Sequence, residues 1–293
     1  IEAAKAVLGE NGFIGIIACT MNTEYHATVA NSAKDRATAL DLKATVFDSA
    51  VEAEKQVTAI ENFVGKGVKV IVLCTLDPKI VEAEVKKAAD AGVFFVQVAG
   101  PALAVQGISV GGEADSNADL GCAAGEIAGD LIAKEKGGQA TVAILDYPDL
   151  PQIVIRADNI EKCILAKAPQ AKVVGRFLGG TTENGLKSMI AALEQYPNID
   201  VVASINDAGA YGALTALQAA GKDPETTIIV GIDAEAKAKD LIKAGGYYRG
   251  TVDTSPAITG EMVINAAVKL LASAAVPQNI RIPATKVTIE TLQ

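Results

Sequence analysis

The 293 residues carry 26 Lys and Arg against 35 Asp and Glu, a formal charge of −9 with one histidine, and 50% of them are hydrophobic. That is ample for two domains with buried cores and excludes a disordered chain. With an acidic balance and no basic cluster, neither a nucleic-acid footprint nor an anionic membrane surface is expected as a partner.

Residues 1 to 11 read as a short amphipathic helix or tail ending at the Asn11-Gly12 turn. Ile1 stands where an initiator methionine would, and with no signal peptide in view a processed or trimmed chain is expected. A βα alternation then begins. Strands are predicted at Phe13 to Cys19, Lys43 to Phe47, Lys69 to Cys74, Val93 to Val98 and Gly107 to Val110, with helices near 25–40, 52–66 and 78–91 between them. Helices between apolar strands act as crossovers, so the sheet is parallel and covered on both faces.

The long uncharged segment from Ala91 to Gly112 contains five glycines, Pro101 and two glutamines, which fit a buried strand, a loop and a second strand better than a membrane span. The polar break GGEADSN follows, then a helix from about Asn117 to Lys136 capped by Ser116 or Asn117. A second series has strands at Thr141 to Leu145, Ala171 to Phe177, Val201 to Ile205 and Thr227 to Ile232, with helices near 153–167, 184–194, 208–220 and 234–244. Two similar series imply two similarly built lobes. A strand at Tyr248 to Val252, a long helix from Ala257 to Ala274 and a terminal stretch from Asn279 to Thr288 close the chain. The first lobe is one covering helix short, so the chain is expected to cross between lobes more than once.

The loop leaving the carboxyl end of a parallel strand is where open α/β sheets bind ligands. The corner from Thr20 to His26, which joins the first strand to the first crossover helix, is therefore a candidate site with Thr23, Tyr25 and His26 on its lip. Asn206-Asp207 and Asp233 stand at corresponding strand ends, where both residue types also cap helices well.

Other chemistry finds little support. Cys19, Cys74, Cys122 and Cys163 form no CxxC pattern and His26 is the one histidine, so no zinc site is expected. Cys19 and Cys74 close neighbouring predicted strands; a disulfide there is open, and two buried thiols packing as small hydrophobes is the expected arrangement. Asp115, Asn117, Asp119 and Glu126 approach the spacing of a calcium loop, but Leu120 stands where that loop needs glycine, and no metal is expected. Without a nucleophile motif, a phosphate-binding glycine loop or a second histidine, no catalytic residues and no cofactor are assigned.

The order of NFVGKGVKVIVLCTLDP (Asn62 to Pro78), ADSNADLGCAAGEIA (Ala114 to Ala128), IDVVASINDAGAYGALTALQAAGK (Ile199 to Lys222) and IIVGIDAEAKAKDLIKAG (Ile228 to Gly245) resembles the type I periplasmic sugar-binding proteins, the ribose-binding-like receptors of ABC importers. The resemblance covers residues 12 to 290. It implies an α/β fold of two doubly wound parallel-sheet lobes, joined by three crossovers near 111–116, 254–257 and 282–284. The N-terminal lobe would comprise residues 1–113 plus 256–282, and the C-terminal lobe 114–255 plus 283–293.

Carried over by position, the resemblance puts Thr23, Tyr25, His26, Asn206, Asp207, Asp233 and Thr254 around a ligand. A sugar offers hydroxyls that donate and accept and an apolar C–H face, which suits carboxylates, amides and an aromatic ring. Departures matter too. The family's Asp-Arg pair after the fourth strand is Ala99-Gly100, its next arginine falls near Val154 with Arg156 two residues on, and its second-lobe Phe is Gly180. These argue against ribose itself, and Tyr147 in DYPDLP offers a replacement aromatic.

The resemblance thus implies an extracytoplasmic, monomeric receptor, periplasmic or lipid-anchored through a removed N-terminal segment. It would capture a monosaccharide or polyol by hinge closure and pass it to ABC permease subunits. The same fold serves as the effector domain of sugar-responsive repressors, which a preceding helix-turn-helix would distinguish. A glycosidase is a third reading, for which the carboxylates Asp207 and Asp233 are better explained as hydroxyl acceptors.

Overall fold

The computed structural model describes residues 1–98, 103, 105, 107–111 and 114–292, with the backbone alone for residues 114 and 115. The chain divides into two compact units, Ile1–Glu113 with Ser255–Ile282 and Ala114–Thr254 with Pro283–Gln293.

In the first unit, β1 (Ile14–Ala18), β2 (Ala44–Asp48), β3 (Val70–Leu73), β4 (Phe94–Val98), β5 (Gly107–Val110) and β11 (Asn279–Ile280) form a parallel sheet in the order β11-β5-β4-β3-β1-β2. Successive strand residues face opposite sides, so Ile16 and Ile17 enter different cores. On one face α2 (Glu24–Ala39) and α10 (Pro256–Leu271) supply Val29, Ala33, Val263 and Ala267 against Ile14, Ile16, Val72 and Val96. On the other, α3 (Ala53–Gly65) and α4 (Pro78–Asp90) supply Ile60, Phe63, Val81 and Val85 against Ile17, Ile71 and Phe95. Local signals start α4: the Asp77 side chain accepts from Lys79 N–H at 2.8 Å and Pro78 occupies the first turn. The late helix α10 is the covering helix that the first series lacks. Gly260 brings it so near α2 that a Cβ there would fall 2.5 Å from the Val29 carbonyl oxygen.

The second unit repeats the plan. Here β6 (Thr141–Asp146), β7 (Lys172–Leu178), β8 (Val201–Ser204), β9 (Ile228–Val230), β10 (Tyr248–Asp253) and β12 (Thr285–Thr288) run in the order β12-β10-β9-β8-β6-β7, parallel except for β12. One face carries α5 (Ala114–Glu135) and α6 (Pro151–Lys167); the other carries α7 (Thr182–Gln195), α8 (Asp207–Ala219) and α9 (Ala236–Ala244). Gly121, Gly125 and Gly129 of α5 lie directly on α6, where added Cβ atoms would fall 2.1, 2.4 and 2.5 Å from Arg156 O, Ile160 O and Lys167 Cβ. In each sheet the first strand of the series has its successor on one side and the third strand on the other, so β1/β3 and β6/β8 are the switch points.

Several expectations are corrected. Cys19 and Cys74 are not thiols but a disulfide, and Cys122–Cys163 is a second, unanticipated one between α5 and α6; both pairs have Cα atoms 5.2 Å apart. The terminal stretch from Asn279 to Thr288 is not one element: Pro283, which lacks an N–H, separates β11 of the first sheet from β12 of the second. Helix α5 starts at Ala114, so Ser116 and Asn117 lie inside it rather than capping it, and the segment with calcium-loop spacing is helical. The side chain of Asp115 and the Ala99-Gly100 pair lie outside the described residues.

Candidate functional site

At the first unit's switch point the chain turns sharply after β1. The Thr20 hydroxyl accepts from Asn22 N–H at 3.1 Å, and Asp48 at the end of β2 accepts from Met21 N–H at 3.1 Å and Ala50 N–H at 2.8 Å. Thr23 precedes α2, but its hydroxyl pairs with His26 Nδ1 at 2.8 Å instead of capping the helix. The Tyr25 ring meets His26 edge-on at 5.1 Å while packing against the unit's core. Thr23, Tyr25 and His26 are all partly exposed, so the structure brings this expected trio together as one lip.

Beneath the lip the Cys19–Cys74 disulfide ties the ends of β1 and β3, with a His26 ring nitrogen within 4.8 Å of both sulfurs. Both sulfurs are spent in the bond, so this trio offers no thiolate to a metal. Nearby strand ends carry two polar groups that sequence reasoning passed over. Thr75 Oγ1 and Gln97 Nε2 are buried without a hydrogen-bond partner among the described residues. Their signal was a polar residue at the end of an apolar run, VIVLCT and FFVQV.

In the second unit, Tyr147, Asn206, Asp233 and Thr254 follow β6, β8, β9 and β10 at the carboxyl end of the sheet. Gly180 has φ +79°, and a Cβ there would fall 2.3 Å from Tyr147 Cδ2, so the tyrosine ring fills the space a side chain at 180 would need. Arg156, although two residues beyond its expected place, reaches this end of the sheet. Its Nε and Nη2 donate to Asn117 Oδ1 at 3.0 and 2.8 Å, and its Nη1 donates to the Ile205 carbonyl at 2.9 Å. Asn117 was considered only as a cap or a cation ligand; no local pattern links it to a partner 39 residues away.

Asn206 caps α8: its Oδ1 accepts from Gly209 N–H at 3.0 Å, and its Nδ2 donates to the Gly180 carbonyl at 2.8 Å. That shift of one residue puts Asp207 in the helix with no exposed surface. The structure therefore does not set Asp207 among the lip residues; it is turned into the unit's interior. Asp233 keeps some surface exposed although its carboxyl is deeply withdrawn from water. Burial raises its pKa well above the usual carboxylate range, the negative charge of Asp207 adds to this, and Arg156 opposes it. Thr254 is 6% exposed, its Oγ1 buried without a partner among the described residues.

Each unit thus presents hydroxyl, amide and aromatic groups at the carboxyl end of its sheet, and the second adds a guanidinium within electrostatic reach of a carboxylate. Neutral molecules dense in hydroxyls match such a set, since every hydroxyl both donates and accepts.

A family model described as "Periplasmic binding protein domain" matches residues 14–275. A D-apiose import binding protein from Actinobacillus succinogenes is 28% identical over 86% of this chain and 79% of its own length. A ribose import binding protein from Escherichia coli is 25% identical over 88% of this chain and 84% of its own. Among solved structures, an ABC transporter periplasmic solute binding protein from Actinobacillus succinogenes with bound D-allose superposes with a TM-score of 0.84 at 24% identity, covering 95% of this chain and 98% of that one. The repeated strand order, the strand-end sites and the match over residues 14–275 lead to one assignment: the chain belongs to the periplasmic binding protein domain family.

Proposed function

We propose that the protein is an extracytoplasmic receptor of an ABC importer that captures a monosaccharide or polyol. In this reading each unit contributes the carboxyl-end face of its sheet, the ligand bridges both, and closure about it shifts the population toward the closed form. The permease subunits are the partners, and the receptor works as a monomer without cofactor or catalysis.

The observation that carries the reading is the Arg156–Asn117 pair placed with Asp233 at the strand ends of the second unit. A guanidinium, a carboxylate and partner-seeking hydroxyls such as Thr254 Oγ1 provide both donors and acceptors to a polyol. Tyr147, seated over Gly180, offers an apolar ring face to a sugar's C–H face. Thr23, Tyr25 and His26 are the first unit's proposed contribution, and Asn206 holds the loop beneath Tyr147 through Gly180. The relatives named for apiose and ribose import support the ligand class. The exchange of the family's phenylalanine for Gly180 plus Tyr147 supports a ligand other than ribose.

Two disulfides support export, because such bonds persist in oxidising compartments and are rare in the cytosol where a repressor's effector domain works. The test is a thermal-shift screen against pentoses, hexoses, polyols and nucleosides. A polyhydroxy hit that Asp233→Ala abolishes is expected; a hit that survives the substitution unchanged refutes the assigned site.

A further inference from the structure

The turn after β9 holds two successive non-glycine residues at positive φ, Asp233 at 124° and Ala234 at 53°. L-residues avoid this region, and such conformations persist only where the surroundings over-determine them. Here three consecutive amides are anchored. Asp233 N–H donates to the Val252 carbonyl at 2.9 Å, Ala234 N–H to Thr251 Oγ1 at 3.1 Å, and Glu235 N–H to Asp207 Oδ2 at 2.9 Å.

The last two anchors converge on one carboxylate. The Thr251 hydroxyl in turn donates a hydrogen bond to Asp207 Oδ1 at 2.8 Å, and the Tyr248 hydroxyl donates to the same oxygen at 2.6 Å. Asp207 and Thr251 have no exposed surface and Tyr248 only 1%. Gly231 leaves the passage open, since a Cβ there would fall 2.2 Å from both Asp207 Oδ1 and the Tyr248 hydroxyl oxygen. None of these groups is placed to touch a ligand, yet all bear on the backbone that carries Asp233.

We propose that Asp207 is a positioning residue: with Thr251 and Tyr248 it clamps the turn after β9 in the strained conformation that presents Asp233 to the ligand. The proposal rests on the receptor reading above for its effect on affinity, but not for the clamp itself. When ionised, the Asp207 carboxylate accepts at both oxygens, from Glu235 N–H on one and from the Thr251 and Tyr248 hydroxyls on the other. Strain held in the empty protein is pre-organisation: Asp233 need not be ordered when the ligand arrives.

The near-isosteric Thr251→Val removes the relay to Ala234 without opening a cavity, Thr251→Ser restores the hydroxyl, and the similarly shaped Asp207→Leu removes both acceptor oxygens. Amide hydrogen exchange at residues 234 and 235 is measured in the ligand-free full chain, with Ile144 of β6 as an internal reference, beside calorimetric titration with D-allose, D-ribose, D-apiose and common polyols. Exchange at 234 is expected to accelerate in Thr251→Val and at 235 in Asp207→Leu, with Ile144 unchanged and Thr251→Ser near wild type. Affinity for the best-binding sugar is expected to fall roughly tenfold in Thr251→Val, the scale of one lost buried hydrogen bond, and to recover in Thr251→Ser. Unchanged exchange at 234 and 235 overturns the clamp, and loosened amides with unchanged sugar affinity overturn its role in recognition. If no sugar binds the wild type, the receptor reading fails instead, and the exchange pattern alone decides for or against the clamp.

Discussion

Breaking either disulfide should cost its unit a large part of its stability. Cys19–Cys74 closes a loop with a sequence separation of 55 and Cys122–Cys163 one of 41. In the chain-entropy treatment, loops of these lengths restrict the unfolded chain by about 4 kcal/mol each at 25 °C. Whole domains are stable by about 5–15 kcal/mol, so this is no minor term. For a unit of roughly 140 residues, with an unfolding entropy near 2.1 cal/mol/K per residue, the loss corresponds to a fall of about 13 °C in Tm. Scanning calorimetry of Cys19→Ala/Cys74→Ala, Cys122→Ala/Cys163→Ala and the wild type with and without a phosphine reductant measures it. Each double variant should lower the transition of the unit that holds the pair, and reductant should then shift that transition no further. A fall below about 3 °C for either pair would refute the reasoning, because the bond would then constrain an unfolded chain that is already restricted there.

Two further outcomes follow from single residues. Val51 is β-branched, 60% exposed and at φ 65°, a backbone region that costs an L-residue about 1–2 kcal/mol. Val51→Gly should raise the unfolding free energy by about 1 kcal/mol in urea titration; an unchanged or lower midpoint contradicts this. Burial pushes the Asp207 carboxyl up to about 7 from its ordinary value of 3.8, against the lowering hydrogen bonds from Tyr248, Glu235 and Thr251. A folded pKa above the unfolded one means that the native state holds a proton the unfolded chain releases. This contribution is therefore fully present below about pH 4 and declines as pH rises to about 7, by up to about 4 kcal/mol. Asp207→Asn should flatten that part of the stability profile, and equal slopes in variant and wild type would rule the assignment out.

The alternation of apolar runs with helical patterns was legible because a doubly covered parallel strand leaves little choice of residue. Gly107–Val110 has the predicted bounds, and α4 ends one residue early at Asp90. What sequence spacing could not decide was direction. The pair Asn206-Asp207 offers two cap residues, and only the packed structure shows that Asn206 takes the cap while Asp207 turns inward. The Cys122–Cys163 disulfide was hidden for a similar reason. A 5.2 Å Cα approach between α5 and α6 depends on the glycines at 121, 125 and 129, whose role is read from helix packing rather than from cysteine spacing. Arg156 was found through the family resemblance, whereas its partner Asn117 had no signal that local pattern could supply.

The late position of α10 has a consequence for how the protein is made. Val263, Ile264, Ala266, Ala267, Val268 and Leu271 cover one face of a sheet whose first five strands lie before residue 111, and β11 at residues 279–280 adds its last edge. A ribosome reading from the N-terminus therefore delivers five strands of that sheet well before the helix that seals them. Until residues past 271 emerge, Ile14, Ile16, Val72 and Val96 have no α10 to pack against, and the first unit cannot complete its core by its own leading segment alone. Truncation anywhere between residues 114 and 254 thus disables the first unit as well, and a nascent chain interrupted there would show an apolar sheet face to any chaperone that scans for one.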